Sequence, residues 1–260
     1  MQKILWLPFV NYFLSISIII CICLSLPADA SIYSHPLKDK RCQNFTRQKF
    51  YRYALKVYHE TGLDKYTDIE TLETCLIGYL NLKRREIIKK DALLVFIDYR
   101  KPSTVKRFFV VDLKRRKLLY KCLVAHGKNS GERFACSFSN RPGSYKSCLG
   151  FFVTGQPYSN KHGYSLNIKG VEPGINDQAE RRRIVIHGAD YVSRQFIKKY
   201  GRLGRSLGCP ALSKSIAKPV IDTIKNGSCL FIFGNDKTYL SRSKVVDART
   251  AIAYFNHAGI

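Results

Sequence analysis

The chain has 260 residues and is 45% hydrophobic, enough to bury a core in one or two domains. Its 44 Lys and Arg against 19 Asp and Glu give a formal charge of +25, an excess that attracts polyanions by steering and counterion release. No nucleic-acid fold signature accompanies the bases and no Cys-x-x-Cys pair occurs, so neither a nucleic-acid partner nor a zinc-ribbon or thioredoxin-type protein is expected.

Residues 1–30 begin with Lys3, continue through an apolar stretch from residue 4 to 26 and end at Ala28-Asp29-Ala30, the order of a secretory signal peptide. Left uncleaved, the stretch would instead be an N-terminal anchor, and only then would the chain meet a membrane. The rest is expected to be exported, to the periplasm or cell envelope. Lys3 and Asp29 are the only charges in the segment, so the +25 belongs to residues 31–260, and anionic cell-envelope polymers are the polyanions an exported protein would meet.

Of nine cysteines, Cys21 and Cys23 lie in the leader, which leaves Cys42, Cys75, Cys122, Cys136, Cys148, Cys209 and Cys229. The number is odd, so at least one thiol has no partner within the chain, and the others allow up to three bridges of undefined pairing, or remain buried thiols.

Residues 31–91 read as a helical N-terminal segment, with Phe50, Ala54, Val57 and Tyr58 on one face and Ile69, Leu72, Cys75, Leu76, Tyr79 and Leu80 on another. From Ala92 the composition changes to short runs of Val, Ile, Phe and Tyr between Gly, Pro and Ser turns, as in a mostly β domain over 92–236. Strands are predicted at 93–97, 107–113, 117–124, 147–154, 164–168, 183–187 and 229–233. Four bases, Lys114-Arg115-Arg116-Lys117, fall at the tip of a predicted hairpin. Helices are predicted near 192–200 and from about 214, the latter with Ile216, Val220 and Ile224 on one face and Asn226-Gly227 at its end. Residues 237–260 show no pattern and read as a C-terminal tail.

Two segments carry chemistry. Ile184-Val185-Ile186-His187-Gly188 is a short apolar strand whose alternation puts Val185 and His187 on one face. Gly201-Arg202-Leu203-Gly204-Arg205-Ser206-Leu207-Gly208-Cys209-Pro210 sets a cysteine in a glycine-punctuated loop with arginines nearby. Glycine lets backbone N–H groups approach a ligand, proline fixes the chain beyond the sulfur, and neighbouring cations lower a thiol's pKa and favour the nucleophilic thiolate.

His187-Gly188 followed by Ser206-x-Gly208-Cys209 resembles the His…Ser/Thr-x-Gly-Cys signature of the YkuD-type L,D-transpeptidases. Ala125-His126-Gly127-Lys128-Asn129-Ser130-Gly131, Phe138-Ser139-Asn140, Gly143-Ser144-Tyr145, Lys161-His162-Gly163-Tyr164-Ser165-Leu166 and His187-Gly188-Ala189-Asp190-Tyr191-Val192 are similar to the murein L,D-transpeptidase catalytic domain branch. The resemblance covers roughly 92–235.

It implies an α+β fold, mostly β, with a YkuD-like sandwich or barrel behind the helical segment, and acyl transfer on peptidoglycan stem peptides. Carried onto this chain, Cys209 is the nucleophile and His187 its base. Cys209 would attack the tetrapeptide stem at meso-diaminopimelate, release D-alanine and hold the stem as a thioester, which an amine from a second stem resolves to a 3-3 cross-link. Backbone donors through Gly208 and Cys209 would serve the oxyanion, Ser206 would support the loop or the oxyanion, and the Gly188 carbonyl would orient the imidazole. Many members carry Asn or Arg two residues after the cysteine where this chain has Ala211, so Arg202 and Arg205 are the candidates for stem carboxylates. His126 and His162 are further candidates for the cleft, and Tyr164 for an apolar wall. No metal or organic cofactor is implied. Hydrolysis of the thioester would make the same thiol a carboxypeptidase, and a free D-amino acid would make it an exchanger; a non-catalytic cell-wall or polyanion binder would not need the reactive thiol.

Overall fold

A computed structural model of the chain describes residues 45–160 and 163–258. The leader at 1–30, Cys42, Lys161 and His162 lie outside the described residues.

Helix α1 (Phe45–Glu60) buries Phe50, Ala54 and Val57, the spacing of one helical stripe. Helix α2 (Ile69–Arg84) starts at Asp68, whose side chain accepts from the Thr71 N–H at 2.7 Å, an N-cap. Residues 71–82 of α2 are all buried, because the helix lies between α1 on one side and the sheet on the other. A side chain on Gly78 would project to within 1.9 Å of the Phe151 ring, so glycine allows helix and sheet to approach.

The sheet has eight strands: β1 (Leu93–Asp98), β2 (Phe108–Asp112), β3 (Lys117–Cys122), β4 (Gly150–Asn160), β5 (Gly163–Gly170), β6 (Val185–Ala189), β7 (Ala211–Ser213) and β8 (Cys229–Phe233). Their order is β3-β2-β1-β8-β4-β5-β6-β7. All six residues of β1 are buried, which explains why it reads as a continuous apolar run and not an alternating one. The two sheet edges nearly meet. Beyond β3, Ala125 donates its N–H to the Ala211 carbonyl of β7 at 2.9 Å, and Gly127 bridges to Ser206. The α+β, YkuD-like architecture expected from the sequence is the one observed.

Helix α3 (Arg194–Tyr200) and helix α4 (Lys214–Ile224) flank β7. The seven sequence-predicted strands correspond to β1–β6 and β8, and only the three-residue β7 was not expected. The C-terminal residues form α5 (Tyr239–Arg242) and α6 (Ala248–His257), not a patternless tail. Helix α6 packs on α1 and α2 through Ala251, Ile252 and Phe255, with the Phe255 and Phe50 rings edge to face at 5.5 Å. The buried Glu172 ties this region to the sheet, accepting from the Phe151 N–H at 2.7 Å and the Tyr239 hydroxyl at 2.9 Å.

Of the two alternatives, bridges or unpaired thiols, the described cysteines take the second. Cys75, Cys122, Cys148 and Cys229 are buried free thiols, Cys136 is an exposed one and Cys209 a half-buried one. The buried four fill apolar core positions, on α2, β3 and β8 and in the segment before β4.

Candidate active site

Strand β6 and the loop 201–210 bring the cysteine and histidine to one place. β6 pairs in parallel with β7 in a register that sets His187 opposite Ala211, two residues beyond Cys209. Two residues before His187, the Val185 N–H donates to Cys209 Sγ at 3.4 Å, and the thiol faces the Arg183 carbonyl at 3.7 Å. His187 is half-buried, with Nδ1 at 3.1 Å from the Gly188 carbonyl. A carbonyl only accepts, so that contact puts the proton on Nδ1 and makes Nε2 the basic nitrogen. Gly188 lies so close under α4 that a side chain there would reach 3.1 Å from the Lys214 backbone.

The loop is held by a chain of buried hydrogen bonds. Ser206 Oγ donates to the Cys209 carbonyl at 2.6 Å and accepts from the Gly208 N–H at 3.0 Å. Ser147 Oγ donates to the Gly208 carbonyl at 3.1 Å and accepts from the Gly127 N–H at 3.0 Å. Ser206 also pairs through its backbone with His126 and Lys128. Gly208 has φ 130, and a side chain there would meet Ile184 Cδ1 at 2.9 Å and the Lys146 carbonyl at 3.0 Å. These contacts correct one expectation: the Gly208 N–H is taken by Ser206 and is not a free donor. That places Ser206 as a brace for the loop.

The thiol pKa also differs from expectation. Burial pushes Cys209 up, only partly offset by the Val185 N–H and the Arg182 guanidinium. The arginine that acts on the sulfur is therefore Arg182, which the sequence alone does not single out. Arg182 also donates to the Ser139 and Lys146 carbonyls, to Ser144 Oγ at 3.2 Å and to Cys148 Sγ at 2.7 Å, fastening the 139–148 loop against the cysteine loop.

Arg202 and Arg205 are not free cations in a cleft. Both pair with Glu132, at 2.8 Å from Arg202 Nε and 2.5 Å from Arg205 Nη1, and Arg205 also donates to the Lys128 and Gly131 carbonyls. They clip the cysteine loop to the neighbouring one. His126 is wholly buried; Arg107 Nη2 lies 2.8 Å from its Nδ1 and the Gly131 carbonyl 3.2 Å from its Nε2. Burial first, and then Arg107, hold its pKa down to about 4, so it is a neutral structural histidine with no face toward a cleft. Tyr164 is on the wrong face. His187 pairs with Ser165 across β5 and β6, and the preceding Tyr164 turns to α4, where its hydroxyl donates to Asp222 at 2.8 Å. His162 lies outside the described residues. Among the described residues no cluster of three or more His, Cys, Asp or Glu is placed to hold a metal ion, and no helix is long and apolar enough to cross a membrane.

The family model of the L,D-transpeptidase catalytic domain matches residues 63–233, well over half of the chain, and the chain belongs to that family. The match begins before α2, so it takes in part of the helical segment as well as the sheet. Among solved structures the chain is similar to an L,D-transpeptidase from Mycobacterium smegmatis at 14% identity, covering 55% of this chain and 59% of that one with a TM-score of 0.34. It is similar to an L,D-transpeptidase from Xylanimonas cellulosilytica DSM 15894 at 13% identity, covering 56% and 62% with a TM-score of 0.35. The helical cell shape determining protein Pgp2 from Campylobacter jejuni is 15% identical, with coverage of 68% and 60% and a TM-score of 0.38. The chain thus spans less than two thirds of the length of each of these structures. No curated protein matches the chain.

Proposed function

We propose that this chain is an exported peptidoglycan L,D-transpeptidase in which Cys209 is the acylated residue, working in the periplasm or cell envelope. The observation that carries the reading is the seating of Cys209 Sγ on the Val185 N–H, two residues along the strand from a histidine whose Nδ1 is engaged by the Gly188 carbonyl.

His187 Nε2 takes the proton of the Cys209 thiol, and the sulfur attacks the carbonyl carbon between the L-centre of diaminopimelate and the terminal D-alanine. Negative charge develops on the carbonyl oxygen, toward which the Cys209 N–H donates. The carbon–nitrogen bond breaks as the imidazolium returns its proton to the departing D-alanine amine. The stem remains as a thioester on Cys209. An amine from a second stem attacks it, gives its proton up through His187 and leaves an amide cross-link and the free thiol. The basic surface, with its net +25, favours an acidic wall polymer over a neutral one.

Intact-mass spectrometry of the protein and of Cys209→Ala, each incubated with disaccharide tetrapeptide, tests the reading. A covalent adduct only on the unmodified protein, with D-alanine released and a cross-linked dimer formed, is the expected result. Adduct and D-alanine without a dimer would make water or a free D-amino acid the acceptor. Neither adduct nor D-alanine would sink the reading in favour of a binding protein.

A further inference from the structure

Two exposed apolar side chains stand on the two backbones that meet over Gly208. Leu207, next to it in the chain, is 60% exposed, and Tyr145, on the loop fastened by Arg182, is 41% exposed. The loops touch at Gly127, where a side chain would lie 2.6 Å from the Tyr145 carbonyl oxygen and 2.9 Å from Gly208 Cα. Tyr145 is also a non-glycine residue with φ 53, in the left-handed region that a bulky side chain disfavours.

The surroundings impose that backbone. Asn129 donates its N–H to the Tyr145 carbonyl at 3.1 Å and its side-chain amide to the Ser144 carbonyl at 3.0 Å, while the Ser147 N–H donates to Ser130 Oγ at 2.9 Å. A ring held in a strained conformation yet left in solvent adds little to packing, and such outliers gather at ligand contacts. Charge supplies the second half. Lys128 Nζ sits 4.4 Å from the Tyr145 ring centroid, and among the described residues no carboxylate pairs with it. Arg141 and Lys146 lie on the same loop as Tyr145, and the acid of the adjoining loop, Glu132, is taken by Arg202 and Arg205.

We infer that Tyr145, Lys128 and Leu207 form the subsite for the donor stem, with an acidic group of the stem on the Lys128 ammonium and its aliphatic part across the Tyr145 ring and Leu207. The assignment rests on Cys209 being the acylated residue, and it gives the role sought in Arg202 and Arg205 to a different cation.

The test measures the second-order rate of thioester formation by intact mass, using a synthetic tetrapeptide stem and the same stem with its side-branch carboxylates converted to carboxamides. Melting temperatures are recorded for each variant. Tyr145→Gly relieves the backbone, so its melting temperature holds or rises, while acylation slows by about tenfold or more, the loss of one good contact. Lys128→Gln erases the parent's preference for the acidic stem. The subsite is overturned if Tyr145→Gly acylates within about twofold of the parent, well under one lost contact, or if Lys128→Gln keeps the preference. A parent that forms no thioester with either stem removes the functional reading, and the subsite with it; a parent that reacts normally while the variants are unaffected removes the subsite alone.

Discussion

Replacing Ser206 by Ala tests the bracing of the cysteine loop most directly. The side chain is 6% exposed, and its Oγ serves two backbone groups, donating to the Cys209 carbonyl at 2.6 Å and accepting from the Gly208 N–H at 3.0 Å. Ser206→Ala removes both contacts and leaves an acceptor and a donor in a buried loop. A buried polar group stripped of its partner costs about 1–3 kcal/mol, so two costs near the lower end of each give about 2–4 kcal/mol after some access of water. Ser206→Thr keeps the hydroxyl and should stay within about 1 kcal/mol of the parent. Urea denaturation read by fluorescence gives the stabilities, and iodoacetamide labelling of Cys209 under native conditions reports the geometry of the sulfur. Stability of Ser206→Ala within about 1 kcal/mol of the parent, at an unchanged denaturant slope, would refute the brace, since neither backbone group could then have depended on Oγ.

Gly208→Ala adds a side chain at φ 130 against Ile184 and the Lys146 carbonyl, and its urea midpoint should fall by about 2–4 kcal/mol of stability, strain and clash combined. Iodoacetamide labelling of Cys209 should rise with pH through a midpoint above the ordinary thiol value, because burial disfavours the thiolate, and Arg182→Gln should move that midpoint higher still by removing a cation that lowers it. Glu73, buried on α2 with Oε1 unpartnered, has its carboxyl pushed up to about 7 by burial and by Glu70. Unfolded, the group ionises near its ordinary 4.5, so between about 4.5 and 7 the native state holds the extra proton and stability falls as pH rises. Glu73→Gln should flatten that slope, and at pH 8 it should be more stable than the parent by on the order of 2–3 kcal/mol in urea denaturation.

The strands were legible because their burial patterns are simple. β1 and β8 are apolar almost throughout, and the Gly, Pro and Ser turns punctuate them. Helix α6 was present in the sequence as well, in Ala251, Ile252 and Phe255 behind Asp247, which caps the Thr250 N–H at 3.2 Å. Sequence pattern marks it only faintly, because it has three core positions and its partner surface is made by α1 and α2, almost 200 residues earlier. Strand β7 has three residues and carries too little periodicity to be seen at all.

At the site, what the local sequence could show was the pair of segments around His187 and Cys209. What it could not show was which charges were already engaged. Arg202 and Arg205 looked free because their partner, Glu132, lies some 70 residues away, and His126 looked like a cleft residue because Arg107 is 19 residues distant. Arg182 lies in a run of three arginines, where nothing local distinguishes the one whose guanidinium turns inward from its exposed neighbours Arg181 and Arg183. Long-range pairing decides such roles, and spacing along the chain does not encode it.

The raised thiol pKa bears on how the centre survives before substrate arrives. A thiolate–imidazolium pair would be permanently nucleophilic, and the thiolate is also the form that oxidises and exchanges disulfides. Here the sulfur rests half-buried between the Val185 N–H and the Arg183 carbonyl, the contacts of a neutral thiol that accepts and donates. In the function proposed above, the basic nitrogen of His187 would take the proton during attack, which would couple nucleophilicity to the arrival of a carbonyl over the Cys209 amide. In the oxidising compartment proposed for this chain, a nucleophile that stays neutral until acylation would be less open to oxidation than a preformed thiolate.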